Sequence, residues 1–252
     1  MQLGLYEYLH MYHRFWRYRF RSEVNNIRYV RKTDMRGQTV LDIGANRGIY
    51  SYYLSHQVGP DGQVIAFEAQ PELGDHLEKL KADFKLNNVT IVPCGLSAEP
   101  GVLTLRRSKV GSGHASFQGE TTAGMSEIQI QTVTVDQHLK AHNVDQVTFI
   151  KCDVEGHEIE VLQGAQETLQ KDQPTVLVEV THENAIDGSL FRMMEELGYR
   201  GHFFHVKPED HANILRKHVG TWVSADQFNH YEYSRPGVFH RDYVFLPKGQ
   251  NP

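Results

Sequence analysis

The sequence predicts a doubly wound, Rossmann-like α/β sheet of mostly parallel strands, on three observations. Apolar strand-like runs alternate with helical stretches from about residue 38 onward. A first strand, Val40 to Ile43, runs directly into a turn carrying Gly44 and Gly48, with Asp42 at the carboxyl end where open α/β sheets bind ligands. A second strand, Val64 to Phe67, ends in Glu68, close to the spacing of ~20 residues at which an acid reaches a nucleotide ribose in such folds.

The elements follow in order. Residues 6–20 interleave Tyr6, Tyr8, Tyr12, Phe15, Trp16, Tyr18 and Phe20 with Arg14, Arg17 and Arg19, the pattern of an amphipathic helix. Docking on the parent domain, as a packed helix or as a lid, is the simpler reading. Peripheral contact with an anionic membrane surface is the alternative. After the glycine turn, Ile49 to Gln57 reads as a helix closed by Gly59-Pro60-Asp61-Gly62. Residues 71–87 place Leu73, Leu77, Leu80 and Phe84 at helical spacing, and Val89 to Val92 forms the third strand. Residues 99–135 break the alternation. Val102 to Leu105 and Ile128 to Val135 read as a β-hairpin insertion, joined by the small-residue loop Gly111-Ser112-Gly113-His114-Ala115-Ser116 beside the ligand crevice. Then come a helix at 136–142, a strand at 147–152, a helix at 157–170 with Ile159, Leu162, Ala165 and Leu169 on one side, and a strand at 175–180. A helix at about 187–197 ends at Gly198. Strands at 201–206 and 243–246 close the sheet, and residues 207–241 read as irregular. The organisation is thus a basic, aromatic helical extension over 1–37 and a single domain over 38–252.

Charge is unevenly distributed. The chain carries a net charge of −5, yet residues 1–37 hold eight Lys/Arg against three Asp/Glu. The overall acidity argues against a whole-chain nucleic-acid binder, so none is expected as a partner. No run of ~18 apolar residues provides a membrane span. With no signal-peptide pattern, Cys94 and Cys152 are expected to be reduced core thiols of a cytoplasmic protein.

The loop after the first strand narrows the ligand. A dinucleotide fingerprint needs G-x-G-x-x-G, but Asn46 stands where its second glycine clears room for a pyrophosphate, and no G-K-[ST] makes a P-loop. Asp42-x-Gly44-x-x-x-Gly48 with the later acid Glu68 instead resembles the S-adenosylmethionine loop of class I methyltransferases.

The second dense segment runs from Ile150 to Ala165, Ile-Lys-Cys-Asp-Val-Glu-Gly-His-Glu-Ile-Glu-Val-Leu-Gln-Gly-Ala. Asp153 ends its strand at the same crevice edge as Asp42 and Glu68. Glu155 and His157 flank a glycine at a helix entrance, where Glu155 and Glu158 can also serve simply as caps. V-L-D-I-G-A-N-R-G, a strand ending in F-E, I-K-x-D-V-E-G-x-E-x-x-V-L-x-G-A and P-T-V-L-V-E-V, in that order over roughly 38–182, resemble the FkbM-type methyltransferases. The resemblance implies a SAM-dependent fold with a last antiparallel strand, most often O-methylating a sugar, polyketide or similar metabolite. It also implies a SAM site of Asp42, Gly44, Ala45, Asn46 and Gly48, with Glu68 on the ribose and Gly95, Leu96 and Ser97 bordering the adenine.

Methyl transfer to a hydroxyl needs alignment and a proton acceptor. Asp153 and His182 are the first candidates for the base, with Glu155 beside them; histidine titrates near neutral pH. Asp153, Glu155, Glu179 and His182 are alternatively an oxygen-rich Mg²⁺ or Mn²⁺ set, though their spacing indicates no metal. The expected partner is a small hydroxylated acceptor. A polymer-directed methyltransferase, acting on RNA or protein, and a non-catalytic SAM-binding module are the alternatives. Asp153-Val154-Glu155-Gly156 stands where amino-group enzymes carry [DN]-P-P-[YF], and keeping Asp153 and Glu155 beside the SAM loop favours catalysis.

Overall fold

The computed structural model describes residues 3–118, 122–180, 187–206, 219–227 and 241–252. Its strands are β1 (Thr39–Ile43), β2 (Gln63–Phe67), β3 (Val89–Val92), β4 (Gly95–Leu96), β5 (Gly101–Arg107), β6 (Ser126–Val133), β7 (Phe149–Cys152), β8 (Thr175–Glu179), β9 (Tyr199–Val206), β10 (Gly220–Ser224) and β11 (Asp242–Pro247). Eight of them form one sheet in the order β10-β9-β11-β8-β7-β1-β2-β3. β3, β2, β1, β7 and β8 run parallel, and β11 inserts antiparallel between β8 and β9. The order reverses beside β1, so the loops after β1 and β7 open a crevice at the carboxyl edge, the usual ligand position in open α/β sheets.

The central strands read as continuous apolar runs because both faces are covered. The helices are α1 (Leu5–Arg17), α2 (Val24–Lys32), α3 (Ile49–Val58), α4 (Pro71–Asp83), α5 (Val135–Ala141), α6 (Glu158–Gln163), α7 (Gln166–Asp172) and α8 (Ser189–Glu196). Alternate strand residues divide between two cores, as the period of two requires. Leu41, Ile65, Ile150 and Val176 pack with Leu139 of α5, Leu162 of α6, Leu169 of α7 and Met194 of α8. Val40, Val64, Phe149 and Leu177 pack with Ile27 and Val30 of α2, Leu54 of α3 and Leu80 of α4. Phe15 of α1 lies in this second core, its ring 3.9 Å from that of Tyr52, while the Tyr53 hydroxyl donates to the Phe15 carbonyl. Among the described residues no helix is long and apolar enough to cross a membrane.

The expected insertion is the antiparallel β5–β6 hairpin, extended to three strands by β4 pairing parallel to β6. Three details differ from the sequence reading. β6 stops at Val133 because the Thr134 hydroxyl caps α5, accepting from the Gln137 N–H. The single helix expected over 157–170 is split into α6 and α7 around Gly164. There a Cβ would stand 2.2 Å from the Ser97 carbonyl oxygen, and the Gly164 carbonyl is taken by the Asp136 N–H. Within the stretch read as irregular, Gly220–Ser224 is a strand, β10, paired antiparallel to β9 at the sheet edge.

Candidate active site

The crevice is a cleft at the carboxyl edge of the sheet, open to solvent. Gly44 and Asn46 from the β1 loop, Glu68 from the end of β2 and Gly95 and Leu96 of β4 line it. Asp153 and Glu155 line its far side, after β7. Among the described residues, three carboxylates therefore line the cleft and no lysine or arginine does.

The β1 loop is shaped by close backbone approach. Gly44 has φ +76°, its N–H and that of Ala45 both donate to the Phe67 carbonyl, and a Cβ there would sit 1.8 Å from the Asp153 carbonyl oxygen. Asn46 adopts a left-handed φ of +50° and donates its N–H to Glu68 Oε2 at 2.7 Å, while the Gln70 N–H donates to Oε1 at 2.8 Å. Burial pushes the Glu68 carboxyl upward, and these two N–H bonds pull it back. Each oxygen keeps a second lone pair for a ligand hydroxyl.

The other loop residues act from behind the lining. Asp42 is fully buried and accepts from the Ser51 hydroxyl at 2.5 Å; burial raises its carboxyl, with Lys151 opposing. Ala45 is buried, and Gly48 starts α3 against Leu77 and Leu80. Ser97 is hydrogen bonded to buried His157 Nε2 at 3.0 Å, which ties β4 to α6. Glu158 caps the same turn, its Oε1 accepting from the Val154 and Gly156 N–H groups.

The β5–β6 loop closes the opposite wall. Gln70 donates to the Ser112 carbonyl at 3.0 Å and accepts from the Gly111 N–H, Ser112 and Gly113 line the cleft, and the Ser116 hydroxyl donates to the Glu155 carbonyl at 2.7 Å. Glu155 sits at φ +53° with its carboxylate 3.3 Å from His114 Nδ1; burial first, then Asp153, raises its carboxyl.

Beyond Asp153 a polar row crosses the sheet on the side covered by α2 and α3. Asp42 and Lys151 are paired in register on β1 and β7, and Glu179 and Asp242 face each other on β8 and β11. Lys151 is buried, bonds Asp153 at 2.9 Å and lies 4.6 Å from the centre of the Tyr50 ring. Burial disfavours its ammonium, but Asp153 and Asp42 outweigh that and hold its pKa above the ordinary lysine value. Glu179 and Asp242 are both pushed well above the carboxylate range, first by burial and then by neighbouring acids, Asp153 and Asp242 for Glu179 and Glu23 for Asp242. Glu23 enters from the turn before α2, accepting from the Tyr50 hydroxyl at 3.3 Å and from Asn26 at 2.9 Å. Among the described residues no group of three His, Cys, Asp or Glu is arranged to hold a metal ion.

Comparison with known proteins then identifies the family. The methyltransferase FkbM domain matches residues 42–200, more than half of the chain. This chain belongs to the FkbM methyltransferase family. It is 25% identical over 189 residues to methyltransferase sdnD of Sordaria araneosa, covering 64% of this chain and 73% of the relative. It is 30% identical over 159 residues to the hexuronic acid methyltransferase AglP of Haloferax volcanii, covering 62% of each protein. The crystal structure of an FkbM methyltransferase from Methylobacillus flagellatus KT superposes with a TM-score of 0.53 at 14% identity, over 85% of this chain and 45% of the other. The chain thus spans under half of that neighbour and under two thirds of AglP. The fold is that of the class I SAM-dependent methyltransferases.

In this methyltransferase the structure brings Gly44, Asn46, Glu68, Gly95, Leu96, Asp153 and Glu155 to one cleft. Asp42, Ala45, Gly48 and Ser97 stand behind it, and His182 lies outside the described residues. Sequence reasoning passed over Lys151 as a strand residue and did not single out Glu23, Tyr50 or Asp242. Lys151 carried a signal, a cation inside a β-strand otherwise buried on both faces. The other three meet only through tertiary packing.

Proposed function

We propose that this FkbM methyltransferase uses S-adenosylmethionine to methylate a hydroxyl on a sugar or similar small metabolite, with Asp153 as the proton acceptor. The observation that carries the reading is the acid-lined cleft at the carboxyl edge of β1, β2 and β7, with no lysine or arginine among its described lining residues. Such a lining suits a ligand with a sulfonium and a ribose diol and disfavours one with a pyrophosphate. Gly44, Asn46, Glu68, Gly95 and Leu96 would hold this ligand, with Glu68 placed to accept from the ribose hydroxyls and Phe67, Leu96 and Leu105 giving the apolar wall an adenine needs. When bound, S-adenosylmethionine supplies an electrophilic methyl group on a sulfonium centre.

The chain's own contribution is on the acceptor side. Asp153 is a quarter exposed at the cleft edge and fixed by Lys151, so one oxygen is oriented and the other is free to accept from a hydroxyl. It would take the proton of the acceptor hydroxyl, a contribution typical of general bases at about 10²–10⁴-fold. Lys151 holds the Asp153 carboxylate in place through their 2.9 Å ion pair. Glu155 and the β5–β6 loop form one wall of the site. The name of AglP supports a sugar acid as the first acceptor to try.

The test incubates the enzyme with methyl-labelled S-adenosylmethionine and, separately, uronic acids, neutral sugars, RNA and protein. The reading expects label on a sugar, stable to mild base as an ether and not an ester. It also expects Asp153→Asn to lower kcat at least ~100-fold while S-adenosylmethionine affinity holds. Label on RNA or protein alone, or full activity in Asp153→Asn, would overturn it.

A further inference from the structure

The described residues expose a second surface with its own chemistry, on α1. Met11 and Phe15 turn inward, but Leu5, Leu9, Tyr12 and Trp16 of α1, and Phe20 in the turn that follows it, recur every three or four residues along an adjacent strip and are 43–76% exposed. On a helix this spacing makes one continuous stripe. A buried apolar face and an exposed one thus lie side by side on the same helix. Scattered exposed apolar residues are ordinary, but a contiguous patch of them marks an interaction surface.

The rim of the stripe is cationic. Arg17 and Arg21 are exposed and Arg19 is half-buried, with the Arg19 guanidinium 4.8 Å from the centre of the Phe20 ring and that of Arg21 5.8 Å from Trp16. Glu7 is the one acidic residue between Leu5 and Ser22, and residues 1–37 hold eight Lys/Arg against three Asp/Glu. Aromatic and aliphatic side chains on one strip of a helix, bordered by arginines, match the interface of an anionic lipid bilayer: the rings and leucines enter the acyl boundary and the guanidiniums meet headgroup phosphates.

We propose that α1 and the turn that follows it are a peripheral membrane anchor, adsorbing the folded enzyme onto an anionic lipid surface through Leu9, Trp16 and Phe20, with Arg17 and Arg19 on the headgroups. A lipid surface fits better than a second copy of the chain, since pairing two such stripes about a two-fold axis sets arginine rims against each other. It fits better than RNA because the stripe itself is apolar and only its edge is charged. The net −10 of the remaining residues is no obstacle, because salt screens charge beyond roughly 8–10 Å at physiological strength. The inference does not depend on the acceptor proposed above.

The experiment uses the full chain carrying Trp222→Phe, so that Trp16 is the sole tryptophan reporter. Vesicles of phosphatidylcholine alone are compared with vesicles containing about 30 mol% phosphatidylglycerol. The proposal expects co-sedimentation and a blue shift of Trp16 emission with anionic vesicles only, both reversed by high salt. Leu9→Ser with Trp16→Ser is read by sedimentation, and Arg17→Glu with Arg19→Glu by both signals. Each pair should weaken binding at least ~tenfold without changing the melting temperature. No binding to anionic vesicles, equal binding to neutral ones, or binding untouched by both variant pairs would overturn it. So would a dimer in solution, or retention on RNA, that the same variants abolish while vesicles are ignored.

Discussion

Glu68→Gln tests how the cofactor loop is held. The wild-type carboxylate accepts from the Asn46 N–H at 2.7 Å and from the Gln70 N–H at 2.8 Å, and the side chain is buried. Glutamine keeps the shape, but its amide oxygen serves only one of these donors and its NH₂ group is set against the other. One buried N–H loses its acceptor, a loss of about 1–3 kcal/mol. Burial already disfavours the ionised Glu68, so removing its charge returns part of this and the lower half of the range is expected. At roughly 2–4 °C per kcal/mol for a domain of this size, the melting temperature should fall by about 2–8 °C. Replacing a charge-assisted hydrogen bond to a ribose hydroxyl should also weaken S-adenosylmethionine binding about tenfold, equivalent to about 1.4 kcal/mol. Scanning fluorimetry of the free protein and calorimetry with S-adenosylmethionine read the two effects separately. An unchanged melting temperature together with unchanged affinity would refute both the tie to Asn46 and the placement of the ribose.

Three further outcomes follow from the same geometry. Lys151→Met removes the cation that bonds Asp153 at 2.9 Å, and kcat should fall while S-adenosylmethionine affinity stays within about threefold; parallel losses in both would place Lys151 in cofactor binding instead. Glu179 and Asp242 have folded-state pKa values raised above their unfolded ones. Their contribution to stability is therefore complete below the ordinary carboxylate range and is lost as pH rises through the raised values. Glu179→Gln should flatten that decline in urea titrations run from about pH 4 to 9, and an unchanged slope would remove the pair from the account. Phe15→Ala deletes a buried ring stacked on Tyr52 and should cost about 3–5 kcal/mol in urea unfolding, whereas less than about 1 kcal/mol would mean that α1 packs only loosely on the domain.

What the sequence displayed was decided by local chemistry. The β1 turn needs Gly44 because backbone approaches backbone there, and Glu68 stands at the end of its strand, so both were visible in spacing alone. The hairpin insertion showed in the alternation of Val102 to Leu105, and the antiparallel closing strand followed from the family resemblance. What was hidden depends on partners distant in the chain. Gly164 interrupts a good helical pattern because the Ser97 carbonyl occupies the space of its side chain, and no periodicity records that contact. The Glu179–Asp242 pair exists only through the register of β8 against β11, separated by more than sixty residues of sequence. Glu23 reaches Tyr50 and Asp242 because α2 lies over that face of the sheet, although the basic, aromatic composition around it suggested only an amphipathic attachment. Asp42 looked like a ligand-facing acid, and in the structure it hydrogen bonds Ser51 beneath the loop.

The central claim is that the acid-lined cleft binds S-adenosylmethionine. Calorimetric titration of the purified chain with S-adenosylmethionine, S-adenosylhomocysteine and NAD⁺ addresses it most directly. The account predicts one-to-one binding of the first two, lost together when Gly44→Ala drives a Cβ into the Asp153 carbonyl, and no binding of NAD⁺. Binding of NAD⁺, or of none of the three by a protein that melts cooperatively, would contradict it.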